Sequence, residues 1–218
     1  MQDTHDTNLL LPRRTLLGLL AAAAGSRVLP ALAQEQAEQR DQQERKYTQF
    51  PPEDGHLRPM HIHRLRQLGL EVWSEAEPEW QTELLPGGKG APPVFTLSSP
   101  DNYHPPAAIT ITAWRRERVP GELFETMADT AIRTASANYG LNKGQARAIP
   151  VVPRTWGLLA GHEGDFSGRA QGQRLDVKIF VGQQQGKYPV VAQIYTQAGK
   201  MADLQDVIRR CWSNITYL

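Results

Sequence analysis

Hydrophobic and polar residues alternate along several short segments of the chain, which is the pattern of β-strands that bury one face. In "RLDVKIFVG", Leu175, Val177 and Ile179 fall on one side, and Asp176 and Lys178 fall on the other. Apolar runs and alternation also predict strands at 70–75, 94–99, 107–114, 155–166 and 188–196. The sequence "QQQGK" predicts a hairpin loop between the strands at 174–182 and 188–196.

Two segments change to the helical period. Between Pro120 and Tyr139, apolar residues recur three and four positions apart, and Gly140 follows the last turn. The C-terminal segment "MADLQDVIRRCWSNI" predicts a core-facing helix with Arg209 and Arg210 on its solvated face. Its apolar stripe contains Leu204, Val207, Ile208, Cys211, Trp212 and Ile215. Strands joined by hairpins, with a central and a terminal helix, predict an α+β fold, an antiparallel β-sheet with helices packed across it.

The N-terminus has the layout of a cleaved signal peptide. Arg13 and Arg14 precede a mild apolar run of twelve residues, and Ala31-Leu32-Ala33 supplies the small residues of a cleavage site. The run would span about 18 Å as a helix, too short for a hydrocarbon core of about 30 Å, so no transmembrane anchor is expected after cleavage. The paired arginines resemble a twin-arginine translocation signal; an ordinary secretory signal is the alternative. Either places the mature protein in the periplasm.

Three segments follow from this organisation. Residues 1–33 are predicted to be the signal peptide, cleaved after Ala33, and residues 34–67 a polar, proline-broken tether and lead-in. Residues 68–218 are predicted to be a single α+β domain.

Composition narrows the choice of partners. Cleavage removes three Arg and two Asp from the 24 basic and 23 acidic residues, which leaves a mature chain of zero formal net charge. A balanced surface argues against nucleic acid and against a polybasic membrane patch. Cys211 is the only cysteine, so the fold must be held by packing without a disulfide.

The order of elements resembles the PsbP/DcrB-like family over residues 68–218. The resemblance rests on the turn at Pro78-Glu79-Trp80, on Gly161-His162-Glu163, and on the final hairpin followed by a helix. It implies a PsbP-like α/β/α sandwich and a non-enzymatic accessory or binding role, with an unidentified periplasmic protein as partner.

Three histidines suggest an alternative function as a periplasmic metal-binding protein. His56, His61 and His63 lie within eight residues, and Met60 stands beside them. On an extended chain His61 and His63 point the same way, about 6.8 Å apart. Imidazole with a thioether suits copper, and imidazole with a carboxylate suits zinc. The alternative is that these histidines are only solvated surface residues.

Two further groups of residues are candidate functional sites. Trp114, with Arg115, Arg116 and Arg118, ends a predicted strand and suggests a protein-binding patch; alternatively the tryptophan closes the core and the arginines are solvated. Ser167 in "GDFSG" raises an exported hydrolase as a third function, but it stands one place late for a nucleophile elbow, and no catalytic residue is assigned.

Overall fold

The computed structural model describes residues 59–88, 90–115 and 117–218. Within them the chain forms two antiparallel sheets and a few helices, which confirms the α+β class. The strands are β1 (Met60–Leu65), β2 (Leu70–Glu75), β3 (Gln81–Leu85), β4 (Val94–Ser98), β5 (Ala107–Ala113), β6 (Val151–Trp156), β7 (Leu159–Ala170), β8 (Gln173–Gln183), β9 (Val190–Gln197) and β10 (Ile215–Tyr217).

The larger sheet has seven strands in the order β3-β4-β5-β9-β8-β7-β6. Its longest pairing joins β7 to β8, from Ala160 opposite Gln183 to Ala170 opposite Gln173. Residues that stand opposite each other share a face, so the alternation along β8 gives the sheet two different faces. Strands β3 and β6 form its edges.

One face is covered by helix α1 (Gly121–Ala135), which continues as a 3₁₀ turn over Ser136–Tyr139. The helix contacts β7 and β8. Gly140 follows with φ of 77°, a left-handed conformation that glycine adopts without strain. The α1 core, as we call the buried residues on this side, includes Phe124, Met127, Ile132, Leu175, Val177, Ile179 and Val181.

A short second helix, α2 (Lys143–Ala148), follows α1. It begins with a capping box, in which Asn142 accepts from the backbone N–H of Gln145 while the Gln145 side chain accepts from the backbone of Asn142. Arg133 of α1 donates to three carbonyl oxygens at the end of α2, those of Ala146, Arg147 and Ile149. The Ala146 carbonyl also accepts from the backbone N–H of Ile149 at 3.3 Å, so the guanidinium reinforces the end of α2 and ties it to α1.

The other face of the large sheet is covered by a three-stranded sheet, β1-β2-β10, and by the C-terminal helix (201–212). That helix starts as a 3₁₀ turn, Met201–Leu204, continues through Gln205–Val207, and ends as a π turn, Ile208–Trp212. The C-terminal core, as we call this buried side, includes Leu70, Val72, Trp80, Phe95, Ile109, Phe180, Ile194, Leu204, Cys211 and Trp212. The molecule thus has three layers, with the large sheet between two cores.

The C-terminal helix is tied to β8 by Asp176. One carboxylate oxygen of Asp176 accepts from the backbone N–H of Gly199 at 2.8 Å and of Met201 at 3.4 Å. The other accepts from the Ser167 hydroxyl at 2.7 Å. Carboxylates near a helix start are stabilising, so Asp176 fixes where this helix begins.

Three expectations from the sequence need correction. The first strand begins at Met60, upstream of the predicted domain start at Leu68, because β1 pairs along its whole length with β2. The segment 155–166 is not one strand: Gly157, with φ of 55°, allows a tight turn that joins β6 to β7. Ile215 lies in β10 opposite Val72, not in the helix, although it is buried in either case.

The C-terminal helix and α1 lie on opposite sides of β8. Leu175, Val177 and Ile179 face α1, whereas the helix lies on the side of Phe180 and Ile194. Strand β8 is therefore largely buried on both faces, and Arg174 is the one exposed residue along it.

Candidate functional site

Two adjoining cavities lie where α1 begins above the β6 side of the sheet. Their volumes are about 480 and about 570 Å³, and both are lined by Phe124 and Ala160. We call the pair the α1 groove. The remaining lining residues are Arg118, Val119, Pro120, Gly121, Pro153, Arg154, Thr155, Gly161, His162, Gln183, Gln185, Gly186 and Lys187.

The floor of the α1 groove is apolar because of where the chain places small and aromatic residues. Phe124 lies in the first turns of α1 and packs toward the sheet, with its ring 6.4 Å from the ring of His162. Ala160 stands on β7, opposite Gln183 of β8. Its short side chain leaves the space that both cavities share. The groove combines an apolar floor with a few polar groups, which is typical of ligand sites.

The charged residues that line the groove are all basic. Arg118 and Lys187 are exposed at one end and Arg154 lies at the other, and none of the described lining residues carries a carboxylate. The Arg154 guanidinium lies 3.9 Å from Glu163 and is therefore partly compensated. The groove has a positive field concentrated at its Arg118 end.

Two tyrosines support the basic end of the groove. Arg118 lies over the ring of Tyr188 at 5.9 Å and Lys187 over the ring of Tyr217 at 5.7 Å. The Tyr217 hydroxyl donates to the Tyr188 carbonyl at 2.6 Å. Burial raises the pKa of Tyr217 to about 12 and also raises the pKa of Tyr188, so both stay neutral donors at physiological pH. Arg118 also donates to two backbone carbonyls, which fixes its position further.

Two buried polar atoms beside the groove make no hydrogen bond to any described residue. They are Nδ1 of His162 and Oε1 of Gln183. The amide nitrogen of Gln183 donates to the Val119 carbonyl at 3.2 Å, which joins β8 to the chain that enters α1. Because Nδ1 of His162 is enclosed, Nε2 is the ring nitrogen left for a ligand in the groove.

The structure separates the four residues of the predicted Trp114 patch. Trp114 is only 9% exposed and belongs to the α1 core. Arg115 donates to the carbonyls of Arg66 and Gln67 and so holds the turn between β1 and β2. Arg116 lies outside the described residues. Of the three described residues, Arg118 is the one that lines the α1 groove.

The structure brings two of the three histidines together. The rings of His61 and His63 stack with their centroids 4.4 Å apart, and Nε2 of His63 shares a hydrogen bond with the Ser74 hydroxyl at 2.9 Å. Burial, followed by the nearby His61, lowers the pKa of His63 to about 4. His56 lies outside the described residues.

The expected thioether ligand does not join the histidines. Met60 lies on the opposite side of β1 from His61, and its sulfur contacts the Cys211 sulfur at 3.5 Å. Among residues 59–88, 90–115 and 117–218, no three His, Cys, Asp or Glu side chains are grouped so that they could hold a metal ion. Copper or zinc binding by His56, His61 and His63 stays a prediction.

Ser167 and the Gly161-His162-Glu163 segment take part in the hydrogen bonds of the sheet. The Ser167 hydroxyl donates to Asp176 and to no histidine in the described part of the chain. Glu163 accepts from the Trp156 indole at 3.1 Å and from the buried Lys178 at 2.7 Å. Lys178 also donates to Asp165 at 2.7 Å. This buried network joins β6, β7 and β8 beneath the edge of the sheet.

The predicted export signal lies outside the described residues, including Arg13, Arg14, Ala31 and Ala33. Helices long and apolar enough to cross a membrane are absent from the part of the chain that the structure describes.

Comparison with known proteins finds similar solved structures but no similar sequence. No family model and no curated protein matches the sequence. Similar solved structures include cyanobacterial PsbP (CyanoP) from Synechocystis sp. PCC 6803, at 10% identity and a TM-score of 0.45, covering 75% of this chain and 95% of that chain. They also include LpqN, involved in cell envelope biogenesis of Mycobacterium tuberculosis, at 16% identity and a TM-score of 0.37, covering 74% of this chain and 86% of that one.

A protein from Bacteroides thetaiotaomicron matches at 10% identity with a TM-score of 0.43. That match covers 69% of this chain but only 45% of the Bacteroides chain, so this chain spans less than half of that protein. The resemblance expected from the sequence thus finds PsbP among the structural neighbours, at low identity. At these scores the likenesses carry no argument about function.

Proposed function

We propose that this protein is an exported accessory protein, without catalytic activity of its own, that binds a segment of a partner protein in the α1 groove. The observation that carries the proposal is the groove itself. It is open, has an apolar floor formed by Phe124 and Ala160, and is positively charged at the Arg118 end. Protein interfaces commonly combine an apolar centre with a polar, charged rim.

The chemistry of the lining residues favours binding over catalysis. His162 is the one histidine among the lining residues that the structure describes, and histidine is the side chain that most often serves as a general base. A general base needs a nucleophile or a bound water held by a second group, and the groove pairs His162 with the ring of Phe124 instead. Ser167, the residue that suggested a hydrolase, donates to Asp176, whose other oxygen holds the start of the C-terminal helix.

Export supports the choice of partner. The pair Arg13-Arg14 and the small residues Ala31 and Ala33 are those of a cleaved signal, so the partner is expected in the periplasm. The zero net charge of the mature chain leaves the local field of the groove as the source of electrostatic selectivity.

Site-specific photo-cross-linking in the native host tests the proposal. A photoreactive amino acid replaces Thr155, which lines the groove, or Ala202, which is exposed on the opposite side of the large sheet. We expect one discrete protein adduct from position 155 and none from position 202. The adduct should disappear when Ala160→Phe fills the space shared by the two cavities, and persist with the matched Ala202→Phe variant.

The same adducts from both positions, or an adduct unaffected by Ala160→Phe, would contradict the groove as the binding site. Circular dichroism and a melting curve show whether the Ala160→Phe protein is folded. Because Ala160 is exposed, we expect its melting temperature to change little.

A further inference from the structure

We infer that the ligand of the α1 groove is an acidic, extended peptide segment in which carboxylates alternate with apolar side chains. This inference rests on the proposed function and specifies the class of partner that the groove takes. It is carried by three features of the groove: its charge, its hydrogen-bonding groups and its course across the sheet.

Charge comes first. Within residues 59–88, 90–115 and 117–218, the lining includes Arg118, Arg154 and Lys187 and no carboxylate. Glu122 and Glu125 are near in sequence, but they are exposed on α1 and do not line the groove. Complementary charge raises the rate of association and excludes partners of the wrong sign. A segment with carboxylates therefore matches the groove, and a basic segment does not.

The hydrogen-bonding groups point to the same class. Arg118 and Lys187 can only donate. Nε2 of His162 donates both in the imidazolium form and in the neutral form that has its proton there. One N–H of the Gln183 amide donates to the Val119 carbonyl, and the buried Oε1 of Gln183 is an acceptor beside these donors. A groove that mainly offers donors is best matched by a ligand rich in acceptors, such as carboxylates and backbone carbonyls.

The course of the groove favours an extended chain. It runs from Pro153 and Thr155 on the edge strand β6, past Ala160 on β7, to the loop that follows β8 at Gly186. It thus crosses neighbouring strands at their ends, with the apolar floor in the middle. Alternate side chains of an extended peptide point to opposite sides, so one set can lie on this floor while the carboxylates meet the basic rim.

Three synthetic peptides of about nine residues test this inference, since such a peptide spans about 30 Å when extended. One alternates Glu and Leu, one Gln and Leu, and one Lys and Leu, each labelled with fluorescein. Fluorescence anisotropy with the full-length mature protein measures the dissociation constants. We expect the Glu/Leu peptide to bind at least about tenfold more tightly than the Gln/Leu peptide, and the Lys/Leu peptide to bind most weakly.

Variants that remove positive charge test whether the acidic peptide binds in the groove. Arg118→Gln/Lys187→Gln should weaken Glu/Leu binding about tenfold. The matched control Arg209→Gln/Lys200→Gln removes one exposed arginine and one exposed lysine elsewhere and should leave it unchanged. Raising the salt to about 1 M, where the Debye length is about 3 Å, should reduce the preference for the acidic peptide.

Equal binding of the Glu/Leu and Gln/Leu peptides, both abolished by Ala160→Phe, would overturn the acidic class while leaving the groove as a binding site. Preference for the Lys/Leu peptide would overturn it as well. If cross-linking from position 155 finds a partner but none of the three peptides binds, the extended-peptide inference fails and the proposed function remains. If Ala160→Phe and the charge variants both leave Glu/Leu binding unchanged, the peptide binds outside the groove and this inference fails. The proposed function fails with it if the adduct from position 155 is also unaffected by Ala160→Phe.

Discussion

Arg210 of the C-terminal helix donates to Glu75, at the end of β2, across 2.7 Å. Its Nε also donates to Asp206, one turn earlier in the helix, at 2.7 Å. Glu75 is only 2% exposed, so this ion pair lies largely out of water. Although burial acts to raise it, hydrogen bonds from Arg209 and Arg210 lower the pKa of Asp206 overall. The expectation that Arg210 lies on a solvated face is therefore wrong.

The neighbouring arginines should differ in their contribution to stability. Arg210→Ala removes a positive charge that pairs with the buried Glu75, and we expect it to lower the free energy of unfolding by about 2–4 kcal/mol. Arg209, whose side chain is 80% exposed, pairs with Asp206 at the surface, and Arg209→Ala should cost no more than about 0.5 kcal/mol. Urea denaturation of the two variants measures the difference. Equal losses would show that the Arg210–Glu75 pair does not stabilise the fold.

Cys211 should be unreactive in the native protein. Its side chain is fully buried, beside the sulfur of Met60 and next to Trp212 in the chain. Reaction with a thiol reagent requires exposure, so native protein should be labelled slowly and denatured protein at once. Mass spectrometry after timed labelling gives both rates. Rapid native labelling would contradict the packing of the C-terminal helix.

His63 should make stability depend on pH. The pKa of His63 is lowered to about 4 by burial and by His61, against an ordinary value of 6.5. The unfolded chain therefore binds a proton between these values that the folded chain does not, and stability falls as the pH drops from about 6.5 to 4. We expect a loss of about 1–2 kcal/mol from this residue, since solvent screens a half-exposed ring. Urea denaturation of His63→Gln at pH 7 and pH 4.5 should show a smaller loss than the parent; an identical loss would assign the effect to other groups.

Metal binding by the histidines can be decided by calorimetric titration. The stacked His61 and His63 rings and the bond from His63 to Ser74 leave the pair poorly arranged for a shared ion. We expect the mature protein and its His61→Ala/His63→Ala variant to bind copper and zinc equally weakly. Micromolar binding that disappears in the variant would establish the metal-binding alternative, with His56 as the next residue to replace.

Export should require the arginine pair itself. Lysine keeps the charge of arginine but not its planar, forked donors. We therefore expect Arg13→Lys/Arg14→Lys to leave uncleaved precursor in the cytoplasm, as seen by immunoblotting of cell fractions. Normal accumulation of the variant in the periplasm would instead identify an ordinary secretory signal.

Much of the fold follows from local patterns in the sequence. Strand β2 occupies the predicted residues, Leu70–Glu75, and α1 follows its apolar stripe, because in both one face is buried over a regular period. The hairpin of β6 and β7 was missed because Trp156-Gly157-Leu158-Leu159 is an apolar run that continues through the turn. Strand β1 was missed because "MHIHRL" alternates over only four residues and directly follows a proline-broken segment, and its pairing with β2 decides its structure.

The α1 groove could not be predicted from the sequence in the same way. Its lining comes from four separate stretches, 118–124, 153–155, 160–162 and 183–187, which only the sheet order brings together. Of the predicted site residues that the structure describes, Arg118 is the one that lies there. The sequence does predict a helix that starts near Pro120, directly after a basic segment. This pattern does not indicate that Lys187 and His162 lie nearby.

The seven-stranded sheet separates the groove side, where exposed residues can be substituted, from the C-terminal side, where close packing restricts substitution. The groove borders the α1 core, whereas Trp212, Cys211 and the Arg210–Glu75 pair lie beyond the sheet. Exposed groove positions such as Thr155 and Ala160 can therefore change without disturbing the packing of the C-terminal side. Successive substitutions in the groove can therefore change the ligand that it binds during evolution, and each of them leaves the fold intact.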